Sequence, residues 1–600
     1  MFTPKFLQMT RDFMESEDNS PALWTRVIAG WLILLSLTKV TMANEPIAVL
    51  SFAGTDRLTE DLRLLTELSG SAKVEEQALS WLSRTSGIDN LDGMDATRPL
   101  GAVIETDGSI VNPVAFFPVN DAQTLLASLS SAVGPATRLE RGLWKIDQAE
   151  FSGFVREHDG WMFFAQNAAA LEDLPDPVSV LGNLPQQYDS ALRLNLQQVP
   201  DVFRQFLIDL VRTLLREDLA QRADESAAMH SLRSSWLRFE FDVFERIVSE
   251  SEQVTVGYNV DAPSRRAEFD LHFRPLPSTS LAKALRNLHQ TETRFSTLID
   301  GNAAVVAHAT LSMGTPEIKR TTAHLNDLRD PVLDLIASTQ MIQADDDREM
   351  LARLVATMFD TAEATITSGR LDMAMLASGD SPPVTVFAAA HVGTSENLKQ
   401  LIERISETTT SGSLWQLRLN VVELTSRVEG EGQNQDASSP KQIQVHALEF
   451  EAENAHVLRR LFGDDAKLYL ALGNDVVWMG IGPETLTKLR RIASGQVPTA
   501  DKASDSDDLQ TALPPVSAEL KLGHIASVAA QASDNFLWKF WMGSIAQGLQ
   551  SADDTVAFQL HADQQELHAH LAMEEGVLRA LAVALSMRLA NEEPPTGLPK

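Results

Sequence analysis

Short apolar runs, many of them β-branched or alternating with polar residues, are separated by longer amphipathic stretches from residue 46 onwards. Period-two runs predict strands and 3.6-period runs predict helices. From residue 46 the order is strand, helix, helix, strand, strand, helix, and the turns inside the strand pairs are short. Short turns join antiparallel strands. The pattern therefore predicts an α+β fold, with helices packed on one face of an antiparallel sheet.

This order of elements returns along the chain, which predicts an internal duplication into two similar lobes, 46–298 and 302–592, each with its own antiparallel sheet. Each lobe holds two units around an insert. Trp161-Met162 and Trp478-Met479 occupy matching places in the two inserts. The units are 46–134, 188–291, 302–406 and 516–592, and the inserts are 138–175 and 413–495.

Two polar segments, 429–441 and 496–515, are rich in Ser, Asp or Pro and have few apolar anchors. Such composition is typical of flexible loops.

Composition narrows the classes of function. The 600 residues carry a formal net charge of −32 and contain no cysteine. A surface this negative repels nucleic acid, so we expect no nucleic-acid partner. The missing cysteines exclude disulfides, thiolate metal sites and cysteine nucleophiles. The acidity itself is most simply explained by solubility.

The N-terminal 43 residues predict export. Arg26 precedes an apolar run, 27–37, and the small residues Thr41 and Ala43 stand at positions −3 and −1 of a cut before Asn44. The run is short for a bilayer, which needs about 20 residues. We therefore expect a cleaved signal peptide with a long n-region, a retained anchor being the alternative. No later segment has the pattern of a membrane span, so the mature chain is predicted to be periplasmic or extracellular.

The sequence lacks the motifs G-x-S-x-G, H-E-x-x-H, G-x-x-x-x-G-K-[ST] and G-x-G-x-x-G after a strand. Its acidic clusters lack calcium-loop spacing. We predict no catalytic residue and no cofactor on these grounds.

One hairpin is a candidate metal site. If Ala562 pairs with Leu567, then His561 lies opposite His568, and His570 shares the face of His568. Three imidazoles on one patch suit a transition metal. Asp261, Asp270 and His272 stand at matching places in the second unit. A solvated hairpin face is an ordinary location for histidines, and this alternative stays open.

The segment 534–549 is apolar nearly all round its predicted helix. Phe536, Trp538, Phe540 and Trp541 lie on more than one side of it. Such a helix is buried or contacts a partner. These four residues are our candidate interface, and ordinary core packing of large aromatics is the alternative.

The segments "VAFFPVNDAQTLLASL" and "GWMFFAQNAAAL" resemble a family of uncharacterised bacterial exported proteins that is defined only as a domain of unknown function. The resemblance covers 100–174 and, more loosely, 384–492. It implies export and duplicated α+β repeats, and it implies no activity and no site residues.

Three functions follow as hypotheses. The first is a non-enzymatic binding or scaffold protein of the bacterial envelope, with another envelope protein as partner. The second is a periplasmic protein that binds an apolar ligand or a lipoprotein segment. The third is a metal-assisted hydrolase centred on His561, His568 and His570.

The predicted signal peptide can be tested directly. Intact-mass measurement of the protein isolated from the exported fraction of its host should give a chain that begins at Asn44, because signal peptidase cuts after small residues at −3 and −1. A chain that retains the apolar run 27–37 would contradict cleavage and support the anchor.

Overall fold

The computed structural model describes most of the chain from residue 46 to residue 591. Of the sequence predictions, the signal peptide, the second helix of the first unit (73–87), the loop 429–441 and most of the loop 496–515 lie outside the described residues. The described ranges are 46–70, 91–106, 111–139, 142–148, 151–223, 225–289, 292–299, 303–338, 345–379, 381–400, 402, 417–423, 444–450, 455–464, 466–493, 513–532, 535–549, 553–563 and 565–591.

Ten strands form what we call the first arm of the sheet. They are β1 (Ala48–Phe52), β2 (Leu100–Thr106), β3 (Val111–Pro118), β4 (Ala136–Arg138), β5 (Leu143–Gln148), β6 (Phe151–His158), β7 (Trp161–Ala165), β8 (Ser190–Asn195), β9 (Ser251–Asp261) and β10 (Arg266–Pro275). Their spatial order is β4-β5-β6-β7-β3-β2-β1-β8-β9-β10, and every pair is antiparallel.

Ten more strands form the second arm. They are β11 (Val305–Ser312), β12 (Arg370–Ser378), β13 (Thr385–His391), β14 (Leu417–Glu423), β15 (Gln444–Phe450), β16 (Lys467–Leu472), β17 (Val476–Ile481), β18 (Val516–Lys521), β19 (Thr555–Ala562) and β20 (Leu567–Met573). Their order is β14-β15-β16-β17-β13-β12-β11-β18-β19-β20, again antiparallel throughout.

The two arms are joined into one sheet. β10 pairs with β20 along seven residues, from Ala267 opposite Met573 to Phe273 opposite Leu567. The result is a single sheet of 20 strands. The predicted α+β class with antiparallel strands is confirmed. The prediction of a separate sheet in each lobe is wrong, because the hairpins that end the two arms hydrogen-bond to each other.

Helices connect the strands. They are α1 (Thr55–Ser69), α2 (Ala122–Val133), α3 (Pro177–Leu181), α4 (Leu184–Gln187), α5 (Asp201–Asp218), α6 (Ala227–Glu250), α7 (Ser280–His289), α8 (Thr315–Ser338), α9 (Asp345–Thr367), α10 (Ala455–Phe462), α11 (Thr485–Ala493), α12 (Leu522–Ala532), α13 (Phe536–Leu549) and α14 (Glu575–Asn591).

Local sequence fixes several helix ends. Asp121 caps α2 by accepting hydrogen bonds from the backbone N–H groups of Gln123 and Thr124. Helix α8 begins at Thr315, and the proline at its second position suits the first turn of a helix. Helix α1 ends at Gly70, whose φ of 64° is unfavourable for residues with a Cβ.

The first arm is covered by helices on both faces. On one face Val49, Val103 and Phe116 pack with Leu181 of α3 and Leu184 of α4. On the other face α2 packs over β3, β5, β6 and β7 through a core formed by Leu125, Leu126, Leu129, Trp144, Ile146, Val155 and Met162. The sequence predicts helices on one face of the sheet only. In this arm that prediction is incomplete, because helices cover both faces.

The centre of the sheet is covered differently. Helices α1 and α14 pack together over one end of the central strands, where Leu64, Leu68 and Leu578 bury Val260 and Ala267. Most central positions further along β18, β19 and β20 are only partly buried. Among the described residues, no helix combines the length and the apolarity that crossing a membrane requires.

A buried carboxyl pair lies where α1 meets the sheet. Asp61 is 9% exposed and Asp189 1% exposed, and their side chains share a hydrogen bond. The Arg57 Nε atom lies 2.5 Å from Asp189 Oδ1, and Asp189 also accepts the backbone N–H of Val260. Burial and then the charge of Asp189 raise the pKa of Asp61 to about 7.

The raised pKa predicts a pH-dependent stability. Folded Asp61 holds its proton more tightly than the unfolded residue, so its contribution to the unfolding free energy is full below pH ~4 and is lost as pH rises to ~7. Asp61→Asn keeps a donor for Asp189 and carries no charge. At pH 8 this variant should therefore unfold with a free energy about 1–3 kcal/mol above that of the wild type.

Denaturant unfolding at pH 5 and pH 8 provides the measurement. Glu60→Gln is the matched control, because Glu60 is exposed on the same helix. If the unfolding free energies of Asp61→Asn and the wild type differ by the same amount at both pH values, the raised pKa of Asp61 is disproved.

Candidate functional site

The predicted register of the last hairpin is confirmed. β19 and β20 pair with Ala562 opposite Leu567 and His561 opposite His568. Only four residues of sequence separate Ala562 from Leu567, which leaves this pairing little freedom.

The pairing of β10 with β20 then adds residues that are remote in sequence. Asp270 lies directly opposite His570, and His272 lies directly opposite His568. Residues two apart on a strand share a face, and directly paired residues do so as well. All four side chains are therefore on one face at the middle of the sheet. We call these four residues the His/Asp cluster.

The carboxylate of Asp270 bridges two imidazoles. Its Oδ1 atom lies 2.7 Å from His568 Nε2 and 2.7 Å from His570 Nδ1. The ligand atoms of these three residues all lie within 4.8 Å of one another. The third predicted ligand, His561, is not in this group. Its Nε2 atom lies 3.1 Å from Gln559 Oε1, and its ring centroid is 6.2 Å from that of His568.

Within the cluster, His272 and its neighbour Tyr188 support His568 from one side. The His272 ring stacks on His568, with centroids 4.1 Å apart and planes at 10°. The Tyr188 hydroxyl lies 3.0 Å from His272 Nε2. Tyr188 is 5% exposed, and its ring occupies the space that a Cβ on Gly257 would need. Glycine at position 257 thus allows the tyrosine to reach the cluster.

The cluster favours a negative Asp270. Burial by itself would raise the pKa of this carboxyl, but hydrogen bonds from His568 and His570 outweigh burial and bring its pKa to about 2. Burial, with the charge of His568, lowers the pKa of His272. Burial and both neighbouring histidines lower the pKa of His561. Burial and then the charge of Asp270 raise the pKa of Tyr188 to about 12.

A cation lies beside the cluster. The Arg266 Nη2 atom is 3.3 Å from His570 Nε2. The Nε atom of the same guanidinium lies 3.3 Å from Glu268 and 3.6 Å from Glu574. The two glutamates therefore offset the arginine charge near His570.

A polar pocket of about 230 Å³ adjoins the cluster through His272. Its lining combines two arginines with a glutamate and neutral polar groups. Its polar lining residues include Tyr188, Arg193, Thr255, His272, Arg274 and Glu566.

The sequence pointed to part of this site. His568 and His570 are brought together as predicted, and Asp270 and His272, noted at matching places in the second unit, join them across the β10–β20 pair. Asp261 does not, because it lies opposite Arg266 at the end of β9, whereas Asp270 lies opposite Gly257. Tyr188 was missed, and no local pattern around it could have indicated its contact with a residue 84 positions away.

The opposite face of the same central strands is apolar and only partly covered. Following the pairings from β1 to β17, seven large apolar side chains that are 37–44% exposed lie on this one face. We call them the apolar stripe: Leu50, Tyr258, Phe269, Leu271, Met373, Met375 and Met479. Between Phe269 and Met375 the stripe is continued by Leu571, Phe558, Ala518 and Ala307, which pair in that order.

The predicted interface helix is α13. Its Trp538 is 46% exposed and its Phe540 is 60% exposed. The side chains of Phe536 and Trp541 lie outside the described residues. The exposure of two aromatic side chains argues against simple core packing for them, and a partner for them stays a prediction.

Comparison of the chain with protein-family models, curated proteins and solved structures gives no match. The geometry of the two sheet faces therefore carries the functional argument.

Proposed function

We propose that this chain is an exported, non-enzymatic interaction protein of the bacterial envelope, and that its apolar stripe binds an amphipathic helix with a cationic polar face. The observation that carries the proposal is the stripe itself. An antiparallel sheet normally presents a polar face to water. Contiguous exposed apolar surface on a soluble protein is typical of an interaction site.

The shape of the stripe argues for an elongated occupant. It runs across the strands from β1 to β17, a path of ten strand spacings. At ~4.8 Å for each spacing this is about 48 Å, the length of a helix of roughly 30 residues. The three methionines at one end can adapt to different side chains.

The backbone argues for a helix over an extended peptide. The strands under the stripe run in spatial order from β1, through β10 and β20, to β17. Each of them hydrogen-bonds to a neighbouring strand on both sides. No strand edge is left there for a peptide to join the sheet. A helix satisfies its own backbone groups and needs only an apolar surface.

The net charge of the chain indicates that its partner is positively charged. A formal charge of −32 attracts a segment rich in Lys and Arg, and it repels a second copy of the same chain. A cationic amphipathic helix of an envelope protein, including a lipoprotein segment, meets both requirements. An acyl chain would also fit an apolar surface and is the alternative ligand.

We also propose that the chain arose by internal duplication, as the sequence predicts. In support, the strand orders of the two arms correspond position by position, from β4 with β14 to β10 with β20. The strands that carry Trp161-Met162 and Trp478-Met479 pair with β3 and β13, respectively.

The signal-like N-terminus and the resemblance to exported proteins support a periplasmic or extracellular location. The metal-assisted hydrolase is the weakest of the alternatives, because only the histidines favour it.

Binding to the stripe can be measured with a designed probe. The probe is a fluorescent helical peptide with Leu on one face and Lys on the other, titrated with the protein and followed by anisotropy. Phe269→Asp should weaken binding at least about tenfold, because it places a carboxylate in the apolar contact.

Two matched variants control this experiment. Phe206→Asp introduces the same change at a side chain of α5 that is 51% exposed and outside the stripe. It should leave affinity unchanged. Phe540→Asp tests the candidate interface on α13. Loss of binding in Phe540→Asp with none in Phe269→Asp would move the site to α13. An alternative result is that the protein binds a fluorescent fatty acid and not the peptide. If Phe269→Asp abolishes that binding, the ligand of the stripe is an acyl chain and not a helix.

A further inference from the structure

We propose that Asp270, His568 and His570 form a binding site for one divalent transition-metal ion, with zinc as the best match. The site lies on the face of the sheet opposite the apolar stripe, so it is independent of the function proposed above. Its ligands come from both arms, one from β10 and two from β20.

The donor types suit the ion. Two imidazole nitrogens and one carboxylate oxygen are a common three-ligand set for Zn²⁺, which accepts a further ligand or water in the fourth position. Cysteine, the other frequent zinc ligand, is absent from the chain. Calcium and magnesium prefer oxygen ligands alone, so two imidazoles select against them.

The distances suit the ion as well. The carboxylate oxygen is 2.7 Å from each imidazole nitrogen. In tetrahedral coordination with bonds of about 2.0–2.1 Å, neighbouring ligand atoms are about 3.3–3.4 Å apart. The carboxylate oxygen therefore needs to move away from each nitrogen by less than about 1 Å, and the two nitrogens already lie within 4.8 Å of each other. Small rotations of partly exposed side chains achieve this, since His568 is 34% and His570 19% exposed.

The surroundings orient the ligands. His272 stacks flat on His568 and is held by the Tyr188 hydroxyl, which fixes the plane of a ligand ring. Positioning groups of this kind commonly change metal affinity 10–100-fold. Arg266 faces the outer nitrogen of His570 and opposes a cation, but Glu268 and Glu574 both lie within 4 Å of its guanidinium.

The alternative role for the same residues is a hydrogen-bonded clamp without an ion, in which Asp270 links β10 to β20 through His568 and His570. A clamp and a metal site differ in what they bind. A clamp binds no ion. A metal site binds one ion per chain and loses it when a ligand residue is replaced.

The test uses the whole exported chain after treatment with a chelator and its removal. Zn²⁺ binding is measured by calorimetry, and Co²⁺ binding by visible absorption, which reports tetrahedral coordination by N and O ligands. We expect one ion per chain. His568→Ala and Asp270→Asn should abolish this binding, and Tyr188→Phe should weaken it about tenfold.

His561→Ala is the matched control. It removes a histidine from the same patch that is not one of the three ligands, and it should retain one ion with unchanged affinity. The melting temperature of each variant without metal shows whether it folds. If His568→Ala does not fold, His568→Gln is used in its place, together with Asp270→Asn.

Three results would overturn the proposal. The first is the absence of saturable Zn²⁺ and Co²⁺ binding by the wild type. The second is one-to-one binding that survives in both His568→Ala and Asp270→Asn. The third is a loss in His561→Ala as large as that in His568→Ala, which would place the ion elsewhere on the hairpin.

Discussion

The pairing of β10 with β20 is the interaction on which the architecture depends. It is made of seven residue pairs between segments that are about 300 positions apart in the sequence. Without it, each arm would end in an exposed edge strand with unpaired backbone groups. With it, the two arms form one sheet of 20 strands. Loop closure over so long a separation is costly in entropy, so the pair must be stabilised by contacts on both faces.

Both candidate surfaces result from this one pairing. Directly opposed residues share a face, so pairing Asp270 with His570 also pairs Phe269 with Leu571 on the reverse side. One face therefore collects the His/Asp cluster and the other collects the apolar stripe. A shift of one residue would put Asp270 on the face of Leu571 and disperse both surfaces. The register of a single strand pair thus decides the chemistry of both faces.

The sequence was sufficient where the structure is local. His561 opposite His568 could be predicted because a short turn fixes the register of a hairpin. Class and strand direction followed from periodicity and turn length in the same way.

The sequence was insufficient where distant segments meet. Nothing local in β10 or β20 indicates that they pair, so Asp270 could be noted at a matching place but not placed against His570. The apolar stripe was missed for a different reason. Alternation predicts an apolar face on Phe269 and Leu271, and it does not say whether a helix covers that face. Here helices α1 and α14 cover only one end of it.

The most direct test of the continuous sheet uses the absence of cysteine from the chain, because two introduced thiols are then the only ones present. In Phe269→Cys/Leu571→Cys the thiols lie on opposed residues of β10 and β20. In Phe269→Cys/Phe558→Cys they lie two strands apart, about 10 Å. We predict that mild oxidation gives an intramolecular disulfide in the first variant and none in the second. Failure of the first to cross-link, or equal cross-linking of both, would contradict the joining of the two arms through β10 and β20.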